Sequence, residues 1–300
     1  MTVDAADEGR HEPGPEQLWG ESWYFDFVAE GGALGGYVRL GFYPALGTAW
    51  YWAYLVGDGR PLVAVRDHDV PIPKGRPLEV RAEGLWSELV CETPHEHWSV
   101  NLEAFAVAMN DPADAYRDER GERIALGLDL EWVAAGPSHP YTGMTRYEQA
   151  CSVAGEVLVG DERISVDGWG ERDHSWGVRD WWAFPWCWTA GRLDDGTAFH
   201  ASRPLLDVPY SAGFVLPAGG GLRPVEGFAV DTELGDEGLP ERASMAIDEL
   251  ELSVVTTAHA PVLLTAGDGR VSRFPRSMCR FDAGDDRTGW GWTEWLQPPG

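Results

Sequence analysis

Short runs of alternating apolar and polar residues, punctuated by Gly/Asp turns, recur along this 300-residue sequence and restrict its fold more than any other feature. Successive side chains of a strand point to opposite faces, so period-two alternation marks an extended segment with two distinct sides. Such runs occupy residues 21–29, 35–43, 47–56 and 60–66, and Gly57-Asp58-Gly59 offers the positive-φ positions of a tight hairpin between the last two. Further runs lie at 85–92, 97–109, 123–133, 146–159, 163–168, 186–193, 197–203, 210–216, 222–230, 244–255, 261–266, 270–281 and 289–296. Helical periodicity is nearly absent, with single turns expected within 110–121 and 238–248. The chain is therefore predicted to be all-β, a sandwich or barrel.

A half-chain similarity suggests two such units. Trp50-x-Trp52 precedes Asp58-Gly59 and Asp69-Val70-Pro71, while Trp186-x-Trp188 precedes Asp195-Gly196 and Asp207-Val208-Pro209. The expected division is a flexible acidic leader over 1–17, an N-terminal β-domain over 18–140 and a C-terminal β-domain over 141–300, joined at the Pro/Gly-rich segment 134–143. A small closed barrel can hold one small ligand inside.

Composition excludes several functions. A net charge of −26 repels nucleic acid and anionic membranes. No apolar run approaches the roughly 20 residues of a membrane helix, so no transmembrane segment is expected. Residues 1–17 lack the apolar stretch of a secretion signal, and Cys91, Cys151, Cys187 and Cys279 form no Cys-x-x-Cys pair, which points to reduced thiols and a cytoplasmic location. The single lysine, Lys74, sits in a Pro-Lys-Gly turn, which argues against Schiff-base chemistry. Sixteen Trp, nine Tyr and ten Phe suit strands and ligand-lining walls alike.

Chemistry-bearing residues concentrate in Gly170–Trp182. If Arg172 to Gly177 is extended, His174 and Trp176 share one face, and Asp173 and Ser175 share the other. Arg172 and Arg179 could hold a substrate carboxylate, although pairing with Glu171, Asp173 or Asp180 is the ordinary expectation. His95-x-His97 and Asp67-His68-Asp69 lack a third ligand at metal-site spacing, so no metal is expected. The glycine clusters at 31–36 and 219–221 precede strands and cradle no phosphate, and no Gly-x-Ser-x-Gly elbow exists.

The series Tyr147-Glu148-Gln149, Val153-Ala154-Gly155-Glu156-Val157, Val166-x-Gly168-x-Gly170 and Asp173-His174-Ser175-Trp176-Gly177, followed by Leu193-Asp194-Asp195-Gly196-Thr197, resembles the carotenoid 1,2-hydratase (hydroxyneurosporene synthase) and AttH-like superfamily across residues 146–203. The resemblance implies two tandem lipocalin-like antiparallel β-barrel domains. It also implies a cofactor-independent enzyme acting on an apolar or amphipathic, isoprenoid- or polyene-like small molecule by acid-assisted hydration or cyclisation of a carbon–carbon double bond. The alternatives are a carrier protein for a hydrophobic ligand, or a pericyclase or isomerase that works by positioning. Carried over by residue, His174 becomes the acid/base, Asp173 its orienting partner and Trp176 a pocket wall. The hydratases also use a further Tyr/Asp pair, for which Tyr147 and His200 are the nearest candidates. Trp181, Trp186 and Trp188 offer indole faces for a cationic intermediate, each worth about 0.5–2 kcal/mol. One departure stands out: an aromatic residue usually lies two before the Asp, and here that residue is Glu171. The oligomeric state is left open.

Overall fold

In the computed structural model, residues 3–117 and 119–298 are described. The first sheet uses eleven strands: β1 (Trp19–Ala29), β2 (Leu34–Tyr43), β3 (Thr48–Gly57), β4 (Leu62–Pro71), β5 (Leu78–Ala82), β6 (Leu85–Thr93), β7 (His97–Met109), β8 (Glu122–Ala134), β9 (His139–Pro140), β10 (Arg146–Val159) and β11 (Glu162–Val178). Their order is β4-β3-β2-β1-β11-β10-β8-β7-β6-β5, with β9 beside β10. Pairing of β4 with β7, Leu62 opposite Met109, closes the barrel.

The second unit contains β12 (Trp186–Leu193), β13 (Ala198–Pro204), β14 (Ala212–Leu216), β15 (Arg223–Pro224), β16 (Phe228–Leu234), β17 (Pro240–Ile247), β18 (Leu250–His259), β19 (Val262–Thr265), β20 (Val271–Phe274), β21 (Arg276–Asp282) and β22 (Thr288–Leu296). Nine of these form one antiparallel sheet in the order β15-β14-β13-β12-β22-β21-β18-β17-β16, while β19 and β20 make a separate hairpin. The sheet curls until β16 approaches β13, whose Arg203 donates to the Phe228 carbonyl at 2.8 Å. The protein is thus all-β, built of two lipocalin-like antiparallel barrels.

The sheets divide between Val178 and Trp186, not at residue 140. The expected boundary marked a connection inside the first barrel: β10 pairs with β8, and β11 pairs with β1. The motif-bearing strand therefore belongs to the first barrel.

That strand lies in a wall shared by both barrels, so both of its faces are buried. In neighbouring β1, Trp23, Phe25 and Phe27 enter the first barrel's core, whereas Tyr24 and Val28 join a second cluster between the barrels. A strand buried on both sides loses clean alternation and reads as almost continuously apolar. Trp50, Trp52 and Trp188 all enter this inter-barrel cluster, and Trp186 packs against it. The β19–β20 hairpin also seals the junction, because its Val262, Leu264 and Phe274 enter this cluster, and just before it the Ala260 carbonyl accepts from Tyr37 at 2.8 Å. Val166-x-Gly168-x-Gly170 permits the tight seam between β1 and β11. A Cβ on Gly170 would lie 1.8 Å from the Asp26 carbonyl oxygen, and one on Gly168 would lie 2.1 Å from that of Val28. No helix among the described residues is long and apolar enough to cross a membrane.

Candidate functional site

Alternation along β11 sends its charged residues into two separate environments. Cross-strand register places Trp23 and Tyr147 beside His174 on the inner face, and Tyr24 and Glu148 beside Asp173 on the outer face. The shared face expected for His174 and Trp176 is thus present. The expected help from Asp173 is not: it points away from His174 and pairs with Arg146 at 2.9 Å.

The inner face meets residues 4–11, the segment expected to be a flexible leader. Asp4 caps a 3-10 turn over Ala5–Glu8, with reciprocal bonds between Asp4 and Asp7. The turn delivers Glu8, 3% exposed, into the first barrel. There its carboxylate accepts from Arg172 at 2.7 and 3.0 Å, Tyr147 at 2.8 Å, Trp98 at 3.1 Å and the His95 backbone at 2.7 Å. Burial raises the Glu8 pKa, but the Arg172 charge and these donors outweigh it and leave a net lowering. His174 Nδ1 donates to the Asp7 carbonyl at 2.5 Å, and Nε2 lies 3.0 Å from Glu21 Oε1. The Glu21 pKa is raised by burial and lowered more strongly by hydrogen bonds from His11 and His174. His11 stacks on Trp176 with centroids 3.9 Å apart. His174 is therefore fully buried, with both nitrogens engaged.

The outer face carries a buried polar network between the barrels. Glu148 accepts from Arg146 Nε at 2.6 Å and Trp188 Nε1 at 3.1 Å. Tyr141 Oη lies 2.6 Å from His200 Nε2, whose ring also donates from Nδ1 to the Thr189 carbonyl at 3.1 Å. Asp26 accepts from Tyr24 Oη at 2.9 Å and from the Glu171 backbone N–H at 2.8 Å. Glu171 is 3% exposed and its Oε1 has no hydrogen-bond partner; Glu148 likewise leaves Oε2 unpartnered, but its Oε1 is held by Arg146 and Trp188. Burial, followed by the charges of Glu148, Asp26 and Asp173, pushes the Glu171 pKa well above the carboxylate range. Burial raises the Glu148 pKa as well, but the Arg146 guanidinium opposes this and favours Glu148 over Glu171 as the ionised carboxyl of the two. Asp26 is pushed up to about 7, chiefly by burial.

Two cavities flank this network. One, of about 350 Å³, is walled by Asp26, Glu171 and Trp169 from the first barrel and by Ala190, Arg192 and Ala198 from the second. The other, of about 580 Å³, is lined by Trp176, Tyr147 and Trp181 among others. Three expected wall residues therefore reach a cavity. Trp188 and His200 are closed into the septum between the cavities, at 1% and 0% exposure. Trp186 packs against Trp181 and Phe274 and lines neither cavity. Arg172 pairs with Glu8 rather than with Glu171 or Asp173.

Sequence reasoning missed Glu21, Asp26, Glu148, Arg39, Arg146 and the entire leader contact. Asp26 was detectable as the polar interruption in Ser22-x-Tyr24-x-Asp26 within an aromatic strand, and the leader through its Asp4-x-x-Asp7 capping pattern. Two residue groups could hold a metal ion by geometry, His11/Glu21/His174 and Glu148/Glu171/His200, each with ligand atoms within 4.8 Å of one another. In the first, protons shared with Glu21 Oε1, 2.8 Å from His11 and 3.0 Å from His174, satisfy the atoms a metal would take.

The fold, two lipocalin-like barrels sharing a wall, is found in solved structures of three other proteins. A Nitrosomonas europaea protein whose structure bears the name AttH is similar over 99% of this chain and 97% of its own, with 15% identity and a TM-score of 0.63. Kievitone hydratase from Nectria haematococca is similar over 99% and 93%, at 10% identity and a TM-score of 0.62. CghA is similar over 94% and 89%, at 13% identity and a TM-score of 0.57. The chain belongs to the family described as a domain of unknown function, DUF7064, whose pattern matches residues 4–299. No curated protein matches the sequence.

Proposed function

We propose that the protein is a cofactor-independent enzyme of the hydratase or cyclase kind, acting on an apolar or amphipathic small molecule, with Glu171 as its acid. One observation carries this reading: a buried carboxyl without a hydrogen-bond partner for Oε1, kept protonated near neutral pH, in the wall of a cleft between the barrels. Kievitone hydratase, which shares the fold, is named for a hydration.

In the proposed step, the Glu171 carboxyl gives its proton to one alkene carbon, which leaves a cation on the other carbon and a carboxylate on Glu171. Water, or a second double bond of the same molecule, attacks that cation. The surplus proton then returns to the Glu171 carboxylate. Asp26 and the Trp169 ring stand beside the developing positive charge and favour it electrostatically. Trp176, Tyr147 and Trp181 line the larger cavity on the far side of the septum, away from Glu171, and take no part in this step. His174 acts as a positioning residue that holds the leader.

A second reading, a carrier without turnover, is favoured by the closed septum of Trp188 and His200 between the cavities. The test begins with mass spectrometry of lipid extract incubated with the protein in heavy water. Enzyme turnover adds solvent deuterium to one compound. Glu171→Gln, an uncharged near-isostere, should still bind that compound and should lower conversion at least about 100-fold. Unchanged conversion in Glu171→Gln removes the acid role, and binding with no conversion by the native protein favours the carrier.

A further inference from the structure

The 580 Å³ cavity contains a charge arrangement that the acid chemistry at Glu171 does not use. Three guanidinium groups line it, those of Arg39, Arg146 and Arg179. Arg146 is neutralised by Glu148 at 2.6 Å and Asp173 at 2.9 Å. Arg39 is only 5% exposed and donates from Nη2 to Tyr43 Oη at 3.0 Å, while its Nη1 is buried without a hydrogen-bond partner. Its guanidinium lies over the rings of Trp52 and Trp181, 4.6 and 5.1 Å from their centroids. Arg179 also faces Trp181, at 5.2 Å. Among the described residues, neither Arg39 nor Arg179 has a carboxylate within the 4.0 Å of an ion pair.

Leaving a buried charge such as that of Arg39 without an ion pair is costly, and this protein does not lack anions: it has 49 acidic residues against 23 basic ones, while the second guanidinium, that of Arg179, is half-buried. Burial, together with repulsion from Arg146 and Arg39, depresses the Arg179 pKa to about 10, a sign of crowded positive charge. The cavity volume lies within the range of small-molecule sites, and Trp176 and Trp181 give it broad apolar walls. An aromatic cavity with two guanidiniums that share only the more distant Asp173 charge and have no ion pair of their own complements a molecule that carries a planar anion on an apolar body.

We infer that this cavity binds an organic carboxylate, with its carboxylate between Arg39 and Arg179 and its conjugated body against Trp176 and Trp181. The inference is independent of the acid role of Glu171, which faces the other cavity.

Retinoate and retinol, which share a polyene and differ in the anionic head, provide the test through quenching of tryptophan fluorescence. The wild-type protein should bind retinoate at least about tenfold more tightly than retinol. In Arg39→Gln/Arg179→Gln that preference should shrink to about twofold, with retinol affinity retained. The ligand-free double variant should also melt higher than the wild type, because the buried Arg39 charge without an ion pair and its repulsion with the half-buried Arg179 are gone. The inference is overturned if retinol binds as tightly as retinoate, if the preference survives in the double variant, if neither compound quenches, or if the double variant melts lower. Glu171→Gln should bind retinoate like the wild type, so a failure of the acid reading leaves this result untouched.

Discussion

Glu171, the proposed acid, stands where the resemblance leads one to expect an aromatic residue. An aromatic residue at this position would extend the inter-barrel core, whereas a glutamate places a carboxyl beside Asp26 and near Glu148 in low dielectric. Its neighbour Asp26 makes a prediction that needs no substrate. The folded-state pKa of Asp26 is about 7, above its ordinary 3.8, so the folded protein holds this proton more tightly than the unfolded chain. Its contribution to stability is therefore fully present below about pH 4 and is lost as pH rises to about 7. Asp26→Asn should be nearly neutral near pH 3 and stabilising by a few kcal/mol near pH 8, as read from denaturant unfolding at each pH. An equal effect at both pH values would show that Asp26 titrates normally. If Asp26 must be ionised to favour the cation, turnover should also fall as pH drops below about 7.

At the scale of elements, the leader and β11 form one unit. Glu8 and Arg172 are 164 residues apart in sequence, and both are almost fully buried. Glu8→Ala strands the Arg172 charge and should cost about 3–5 kcal/mol in unfolding free energy. A cost below about 1 kcal/mol would mean that the turn leaves the barrel easily in solution. The pKa values of Glu8 and Glu21 are lowered, so their stabilisation is present above about pH 4.5 and fades in acid. The His11 pKa shifts in the opposite sense. Burial lowers it, but hydrogen bonds and charge from Glu21 and Asp7 raise it further, so its contribution is complete below about pH 6.5 and fades as pH rises. Proteolysis within residues 5–11 should therefore accelerate in mildly alkaline solution, and His174→Ala should accelerate it at every pH by removing the bond to Asp7.

Much of the strand pattern was legible from sequence: His97–Met109, Arg146–Val159 and Trp186–Leu193 have the expected bounds. The errors share a cause, since short-range patterns do not reveal long-range partners. The run 244–255 breaks at Asp248, where φ is 50°, and the run 270–281 breaks at Pro275. The expected helical turn within 238–248 is mostly β17, preceded by a 3-10 turn at Asp236–Gly238. β5 was not foreseen, and the Pro/Gly-rich segment 134–143 looked like a domain linker because the β11–β1 pairing cannot be seen locally. Acidic composition likewise made the leader look solvated, although its Glu8 answers a distant arginine.

For the whole molecule, the shared wall explains why the two faces of one motif have different fates. Lipocalin-like barrels usually offer their interior to a ligand. Here the first barrel's motif end is filled by Glu8, and its core is packed with Phe25, Trp98 and Trp132. The open volume lies instead at the two ends of the inter-barrel face, around a septum of Tyr24, Glu148, Asp173, Trp188 and His200. Side-chain spacing along β11 puts Glu171 and Ser175, four residues apart on one face, roughly 13 Å from each other. The molecule therefore separates a carboxyl-bearing cleft from an arginine-bearing cavity along a single strand. The most direct measurement of the central claim is infrared difference spectroscopy of wild type against Glu171→Gln at neutral pH. A carbonyl band of a protonated carboxyl, present in the wild type and absent from the variant, is the expected result. Loss of an ionised-carboxylate band instead would show that Glu171 is charged in the folded protein and cannot be its acid.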